Sequence, residues 1–172
     1  MQCESEDLVD DAEITYRPIG FVRREASDDD VREHGPGSEA TIEISPEFQD
    51  ALVGLDGFSH IFVLSHLHRL RPEQIGQLKV RPRRLLKKGF KIEEIPLVEV
   101  FALDSPTRPN SIGLSLVRLL RREEGKLFVL GLDLFDGTPI LDIKPYRDDY
   151  RTEQYELAEW YRDLRDRVGQ DI

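Results

Sequence analysis

Cysteine is almost absent from the sequence, since Cys3 is the single thiol among 172 residues. An intramolecular disulfide is therefore excluded, and a zinc site would have to use histidine and carboxylate ligands. A chain without disulfides suits a reducing compartment. We therefore expect an intracellular protein.

Long apolar runs are missing as well. The most apolar stretch, IFVLSHL at residues 61–67, is far shorter than the roughly 20 residues that a membrane-spanning helix needs. The first 13 residues, MQCESEDLVDDAE, are acidic and lack the basic and apolar regions of a secretory signal. We expect a cytoplasmic protein with no membrane partner.

Charge is acidic overall and unevenly distributed. The net charge of -10 argues against indiscriminate binding to nucleic acid, because phosphate contacts need positive potential. Residues 4–13 carry six acids and no base, whereas residues 81–91, RPRRLLKKGFK, carry six bases and no acid. This basic segment is either a solvated face or the place where an anionic partner binds.

The length fits one domain with a core of its own. Residues 1–13 are almost free of β-branched and aromatic residues, which predicts a disordered acidic tail. We therefore expect a single domain over residues 14–172, with no internal repeat.

Apolar stretches between turn signals predict β-strands. They are residues 15–24, 40–45 and 58–68, then LKVRP and PLVEVFAL around the basic segment, then LSLVRLLRR and GKLFVLGLDLF around Glu123-Glu124-Gly125, and finally ILDIKPY. Residues 58–68 are apolar on both faces and are predicted to be a central strand buried on both.

Helices are predicted at two places only. Ser45 followed by Pro46 predicts a short helix over PEFQDALVGL, and residues 152–168 predict a C-terminal helix. Its expected inner face consists of Tyr155, Leu157, Ala158, Tyr161 and Leu164. Residues 25–39, which contain Gly-Pro-Gly, are expected to form a long loop.

Most connections are too short for a parallel crossover. The expected fold is therefore mainly β: a small, mostly antiparallel or mixed β-barrel of six or seven strands, with a short helix and a C-terminal helix.

Three polar clusters are candidate sites, and the first is a set of histidines. His60, His66 and His68 share one face of a regular strand, and a His-x-His pair can bind zinc. No cysteine and no nearby carboxylate completes a ligand set. Hydrogen-bonded barrel histidines are the commoner outcome, so we expect no metal.

The second cluster is GLDLFDGTPILDIKPY at residues 131–146. A turn explains Asp136-Gly137 fully. Asp133 and Asp142 lie in strand-like sequence together with Lys144, where carboxylates are depleted. They either face solvent or serve a site at the barrel mouth.

The third cluster is LDSPTRPNSIGLS at residues 103–115. Prolines on both sides of Arg108 stiffen the chain. The stretch is either a rigid surface loop or a support that holds the guanidinium for a carboxylate or phosphate.

The motifs PIGFV, FSHIFVLSHLH, VRPRR, FALDSPTRPNSIGLSLVRL and GLDLFDGTPILDIKPY, in this order over residues 16–147, resemble the TsaA-like (TrmO) family of S-adenosylmethionine-dependent tRNA methyltransferases. The resemblance implies a small β-barrel that binds S-adenosylmethionine, uses no metal and acts as a homodimer. The implied reaction methylates the exocyclic N6 of threonylcarbamoyladenosine beside the anticodon of a tRNA.

The resemblance also implies site residues. Its cofactor contacts fall on Arg32, Glu33, His68, Arg69, Asp104, Leu114, Asp136, Gly137, Thr138 and Pro139. At position 104 the family pattern has Arg, and at Ser111 it has Pro. We count Asp136, Asp142, Arg108 and Asn110 as the catalytic set. Phosphate contacts to tRNA are expected from Arg81, Arg83, Arg84, Lys87 and Lys88.

Methyl transfer from a sulfonium is a direct displacement, so catalysis consists mainly of alignment and exclusion of water. The acceptor nitrogen must lose a proton, and Asp136, Asp142 and His68 remain open as the base. Two alternatives also remain open: another RNA base or a small molecule as the acceptor, and a non-catalytic module that binds S-adenosylmethionine.

Overall fold

The structure, a computed structural model, describes residues 13–34 and 37–168. The predicted disordered tail therefore lies outside the described residues, apart from Glu13. Eight strands follow one another along the described chain: β1 (Gly20–Arg23), β2 (Glu39–Ile44), β3 (His60–His66), β4 (Lys79–Val80), β5 (Val98–Glu99), β6 (Ile112–Glu123), β7 (Lys126–Leu130) and β8 (Pro139–Pro145).

Six of these strands close into a barrel in the order β1-β2-β7-β6-β3-β8, and every neighbouring pair is antiparallel. The β6–β7 hairpin turns at Glu124-Gly125, where both residues have positive φ. The predicted mainly β, antiparallel barrel is confirmed, and so is the hairpin predicted at this turn.

Alternation along the strands fills the barrel with branched aliphatic side chains, as period-2 geometry requires. Full burial of such a side chain stabilises the fold by about 1.5–3 kcal/mol. The most deeply buried members are Val22, Ile42, Ile44, Ile61, Val63, Val117, Leu127, Val129, Leu132 and Ile140.

The outward face of β3 differs from the prediction. Ile61 and Val63 are fully buried inside the barrel, whereas Phe62 and Leu64 on the outward face are only half-buried. The prediction of a strand buried on both faces was wrong, because a six-stranded barrel has one interior and, within residues 13–34 and 37–168, no second layer covers this part of its outer wall.

The two strands around the basic segment also differ from the prediction. β4 and β5 pair with each other in a separate two-stranded sheet and do not join the barrel. Each is two residues long, and Pro82 and Pro96 lie just beyond the pair. Proline has no backbone N–H to donate, so the ladder cannot extend through these positions.

Helix α1 (Asp28–His34) occupies the stretch that was predicted to be a loop. Its start is a reciprocal capping arrangement: the Asp30 amide donates to Ser27 Oγ at 3.2 Å, and the Ser27 amide donates to Asp30 Oδ2 at 3.1 Å. Val31 packs inward and is 3% exposed. The sequence contains the capping signal Ser-x-x-Asp at residues 27–30, which the sequence analysis did not use.

Two further helices shape the barrel's surroundings. Helix α2 (Arg84–Lys87) lies in the basic segment, and α3 (Glu159–Val168) ends the described chain. Leu85, Phe90, Ile95 and Leu164 form a second small core, with Trp160 packed against it. None of the helices in the described ranges is long and apolar enough to cross a membrane.

Both predicted helices differ in the structure from the prediction. Residues 46–52 form a 3-10 helix, and the C-terminal helix begins at Glu159 because contact with the second core starts at Trp160. Of its expected inner face, Leu164 is buried, whereas Tyr155 is 69% exposed and precedes the helix.

Candidate functional site

Three long connections meet at one end of the barrel. Because neighbouring strands are antiparallel, β1, β3 and β7 finish at the same end at which β2, β6 and β8 begin. The connections at this end are residues 24–38, 67–111 and 131–138. We call it the upper end; it collects most of the residues that the sequence analysis assigned to a site.

The turn before β8 is rigidly built. Gly137 has φ 74°, a backbone conformation that favours glycine. The Thr138 amide and hydroxyl both donate to the Phe135 carbonyl oxygen, at 3.2 and 2.7 Å. The Gly137 amide donates to the Val22 carbonyl oxygen at 2.9 Å. Asp136 is therefore held at the lip of the barrel.

Arg24, which the sequence analysis did not single out, organises the same turn. Its backbone amide donates to Asp136 Oδ1 at 3.0 Å. Its Nη2 donates to the Leu132 carbonyl oxygen at 2.5 Å, and its Nη1 donates to Ser38 Oγ at 3.2 Å. Burial lowers the pKa of this guanidinium, and Asp133 acts in the opposite direction.

Arg32 and Arg69 flank one aromatic ring. Their guanidinium carbons lie 5.0 and 5.2 Å from the centroid of Phe135. Arg69 also forms an ion pair with Asp28, and its Nη2 donates to the Asp136 carbonyl oxygen at 3.0 Å. Helix α1, the end of β3 and the 131–138 connection are thereby joined around Phe135.

Phe135 and Asp28 are therefore site residues that sequence reasoning missed, as is Arg24. Phe135 does stand directly before Asp136-Gly137. However, a phenylalanine beside a turn is indistinguishable in sequence from a core residue, because its two cationic neighbours come from distant segments.

His68 lies beside this cluster. Its pKa is lowered from 6.5, first by burial and then by the positive charges of Arg69 and His66, although the side chain reaches solvent. Arg69 Nε donates to His68 Nε2 at 3.3 Å. The imidazole is thus neutral near pH 7.

The other histidines do not join it in a metal site. His60 and His66 lie on the outward face of β3, and His60 Nδ1 is 2.9 Å from Ser59 Oγ. Within the described part of the chain, no three His, Cys, Asp or Glu side chains are grouped to hold a metal ion.

The loop at 103–111 is fastened from within. Arg108 Nη1 donates to the carbonyl oxygens of Leu103 at 2.6 Å and Val100 at 3.2 Å. The Leu67 amide donates to the Ser111 carbonyl oxygen at 2.7 Å, which attaches the loop to the end of β3. The Arg108 guanidinium between the prolines is thus bound to backbone carbonyl oxygens of residues 100–105.

Asp142 is placed away from Asp136. It lies on the outer wall of β8, opposite Leu64, and its carboxylate pairs with Lys144 at 2.7 Å. Asp133 pairs with Arg84 at 3.6 Å. Asp142 therefore faces outward on the barrel wall, whereas Asp133 is exposed in the 131–138 connection at the upper end.

The remaining predicted site residues lie around the upper end, and all but the half-buried Pro139 have exposed side chains. Leu114, 67% exposed, projects from the start of β6, and Pro139 begins β8. Exposed polar members are Glu33, Asp104 and Asn110.

The basic segment is anchored beside the upper end. Leu85 is 1% exposed in the second core, and Arg81 donates to the Ile95 carbonyl oxygen. The pair between Arg84 and Asp133 brings α2 next to the 131–138 connection. All six cationic side chains of the segment are exposed, namely Arg81, Arg83, Arg84, Lys87, Lys88 and Lys91.

The middle of the outer wall formed by β3 and β6 is apolar. Phe62 and Leu64 lie opposite Leu116 and Leu114 in the β3–β6 register. Phe62 also packs on the rings of two tyrosines, at 5.7 and 5.2 Å between centroids. We define the outer apolar wall as Phe62, Leu64, Ile112, Leu114, Leu116, Leu120, Tyr146 and Tyr150.

A family model and curated proteins that resemble this chain agree with one another. The family model for the tRNA-methyltransferase O N-terminal domain matches residues 32–151. A probable S-adenosyl-L-methionine-binding protein of Methanothermobacter thermautotrophicus is 43% identical over 142 residues, which cover 81% of this chain and 94% of that protein. The tRNA (adenine(37)-N6)-methyltransferase of Mus musculus is 42% identical over 106 residues, 62% of this chain and 22% of that protein.

Solved structures agree. A crystal structure of TrmO has a TM-score of 0.62 and 33% identity, and the match covers 84% of this chain and 64% of that chain. TrmO from Pseudomonas aeruginosa has a TM-score of 0.59 and 32% identity, over 81% of this chain and 58% of that one. This chain thus spans less than two thirds of either solved chain. Because the family model matches more than half of this chain's length, the chain belongs to the TrmO family.

Proposed function

We propose that this protein transfers the methyl group of S-adenosylmethionine to the exocyclic N6 of threonylcarbamoyladenosine beside the anticodon of a tRNA. The observation that carries the proposal is the convergence of Arg32, Arg69 and Asp136 around Phe135 at the upper end of the barrel.

The residues at this end fit the methyl donor. Guanidinium groups suit its carboxylate, and an aromatic face suits its planar base or its cationic sulfur. We assign cofactor contacts to Arg32, Glu33, His68, Arg69, Asp104, Leu114 and residues 136–139. When bound, S-adenosylmethionine supplies an electrophilic methyl group, and the protein's part is to align the two reactants and exclude water.

We assign the role of the base to Asp136. Its Oδ1 accepts the Arg24 amide, so the carboxylate has a fixed direction at the lip of the barrel. Because His68 is neutral, it adds no second positive charge, beside that of Arg69, to repel the sulfonium. Arg108 and Asn110 complete the catalytic set, with Arg108 acting through the loop it holds. Asp142, on the outer wall, is the weaker candidate for the base.

The acceptor is proposed to reach this end through phosphate contacts to the basic segment. Arg83, Lys87 and Lys88 project from a segment anchored by Leu85, next to the 131–138 connection. Their charge supplies the local positive potential that a protein of net charge -10 otherwise lacks. Arg84 is placed to bind phosphate if its ion pair with Asp133 opens. Arg81 donates to the Ile95 carbonyl oxygen and so helps to fix the backbone around the segment.

We also propose that the protein is a homodimer formed through the outer apolar wall. Leu114 is 67% exposed and Leu116 is 49% exposed, and both lie in the middle of a continuous sheet. An apolar surface of this kind marks an association site. A second copy on the wall would border the upper end, because Leu114 lies near the start of β6.

The test is transfer of labelled methyl groups from S-adenosylmethionine to two tRNA preparations, one with and one without the threonylcarbamoyl group. We expect label only in the first preparation, and loss of transfer in Arg108→Ala. Calorimetric titration with S-adenosylmethionine and with its demethylated product accompanies the assay.

Folded protein that labels neither tRNA would contradict the proposed reaction. In that case, binding of the cofactor would direct attention to another acceptor or to a non-catalytic module, and the nucleosides of a deletion strain, measured by mass spectrometry, would separate these two.

A further inference from the structure

Phe101 is an exposed aromatic side chain on a fixed backbone. Its side chain is 75% exposed, while its neighbour Val100 is 1% exposed. The Val100 amide donates to the Leu78 carbonyl oxygen at 2.9 Å, and residues 100–102 form a 3-10 turn. The exposed ring is thus carried on a hydrogen-bonded turn directly after a buried residue.

Arg108 adds a cation beside this ring. Its guanidinium carbon lies 5.7 Å from the Phe101 centroid. Its Nη1 bonds to carbonyls on both sides of Phe101 in the chain, those of Val100 and Leu103. Ring and guanidinium therefore form one preorganised surface.

This surface belongs to the upper end. Phe101 lies on the stretch of chain that links the basic segment to the 103–111 loop. That loop is attached to the end of β3 just before His68 and Arg69, through the bond from Leu67 to Ser111. The same chain segment thus connects phosphate-binding side chains, the exposed ring and the proposed methyl-transfer site.

We propose that Phe101, with Arg108 beside it, is a stacking platform for an unpaired base next to the methylated nucleotide. The inference deepens the proposed function and depends on its acceptor being RNA. Bases in single-stranded loops are bound by stacking on aromatic rings and on Arg planes. The Arg108 guanidinium beside the ring favours a nucleotide as the occupant over an apolar protein surface.

The first experiment compares Phe101→Leu and Phe101→Trp in binding to an anticodon stem-loop RNA, followed by fluorescence anisotropy. Phe101→Leu keeps an apolar side chain and removes the ring, so we expect affinity to fall by about tenfold, the scale of one lost base stack. Phe101→Trp should bind at least as tightly as wild type. The matched control is Tyr155→Leu, since Tyr155 is an aromatic residue 69% exposed elsewhere.

A second readout is spectroscopic. Trp160 is the single tryptophan and is half-buried in the second core. In a Trp160→Phe background, Phe101→Trp carries the only indole, and we expect RNA to quench its fluorescence. An abasic nucleotide at the position that stacks should abolish both the quenching and the difference between Phe101→Leu and wild type.

The outcomes separate this inference from the proposed function. If wild-type protein binds and methylates the RNA and Phe101→Leu binds it equally well, the stacking platform is wrong and the function stands. If the wild-type protein binds no RNA, the function fails and the platform with it. If Phe101→Leu changes the sedimenting mass, the ring contacts a second copy of the chain, and the platform is again overturned.

Discussion

Arg24 donates from Nη2 to the carbonyl oxygen of Leu132 at 2.5 Å, and this bond joins the end of β1 to the connection that carries Phe135 and Asp136. The backbone amide of the same residue donates to the Asp136 carboxylate. Arg24, which is outside the predicted site, thus fixes the connection that carries the predicted Asp136 and the unpredicted Phe135.

Arg24→Met should therefore weaken binding of S-adenosylmethionine. The change removes a charged hydrogen bond worth about 1.5–3 kcal/mol, so we expect roughly a tenfold or larger rise in Kd. Calorimetric titration measures it. Arg24→Lys should recover part of the loss, because an ammonium can still donate to one carbonyl.

The matched control for this change is Arg23→Met. Arg23 is the preceding residue, and it pairs with Glu43 at 2.8 Å on the surface, with both side chains largely exposed. Such a pair contributes about 0–1 kcal/mol. Equal Kd values for Arg23→Met and Arg24→Met would show that Arg24 does not position the cofactor site.

Asp136→Asn should distinguish the role of Asp136 as the base from its structural role in the turn. The amide oxygen can still accept the Arg24 N–H, so cofactor affinity should stay near wild type. The amide cannot take up a proton, and the rate of methyl transfer should fall about a hundredfold or more. A single-turnover assay with saturating tRNA measures this rate.

Asp142→Asn is the companion variant. It removes only the pair with Lys144 on the outer wall, and we expect little change in rate. If Asp142→Asn is the slow variant and Asp136→Asn is not, the assignment of the base is reversed. If neither is slow, the proton goes to His68.

The barrel could be predicted from sequence because its strands alternate and its turns carry glycine. β2, β6, β7 and β8 each have these local signals, and each formed as expected. Two predicted strands, β4 and β5, are not part of the barrel and pair with each other instead. They lie on either side of the basic segment, where a local sequence pattern cannot show which sheet a strand joins.

The candidate site was predictable only in part, for a related reason. Asp136 lies in a motif and Arg69 directly follows one, so resemblance identified them. Arg24 and Phe135 act through neighbours more than 60 positions away, and no spacing along the chain reveals such pairs. The partial exposure of Leu64 depends on whether another layer covers the outside of the barrel, which no local pattern in the strand reveals.

His68 should make cofactor binding sensitive to pH. Its pKa is lowered from 6.5, so the imidazole is neutral at pH 7. It gains a proton only when the pH falls through this lowered pKa. The added positive charge would lie beside Arg69 and near the sulfonium. Affinity for S-adenosylmethionine should therefore fall as pH decreases through the lowered pKa, and should be restored as pH rises.

The pH profile of Kd in His68→Gln should be flatter than that of wild type. His60→Gln is the control, since His60 begins β3 at the opposite end of the barrel. A profile that flattens in His60→Gln, or stays unchanged in His68→Gln, would assign the titration to another group.

Leu116→Arg should dissociate the proposed dimer. Leu116 is 49% exposed in the middle of the outer apolar wall, opposite Phe62. A stable dimer buries roughly 800 Å² on each partner, and a charge at its centre without a partner opposes association. Sedimentation at micromolar concentration should give a monomer with unchanged circular dichroism. Val53→Arg, at a residue 78% exposed beyond the other end of the barrel, should leave the mass as in wild type. A wild-type protein that already sediments as a monomer would refute the proposed interface, and an unchanged mass in Leu116→Arg would place the interface on another surface.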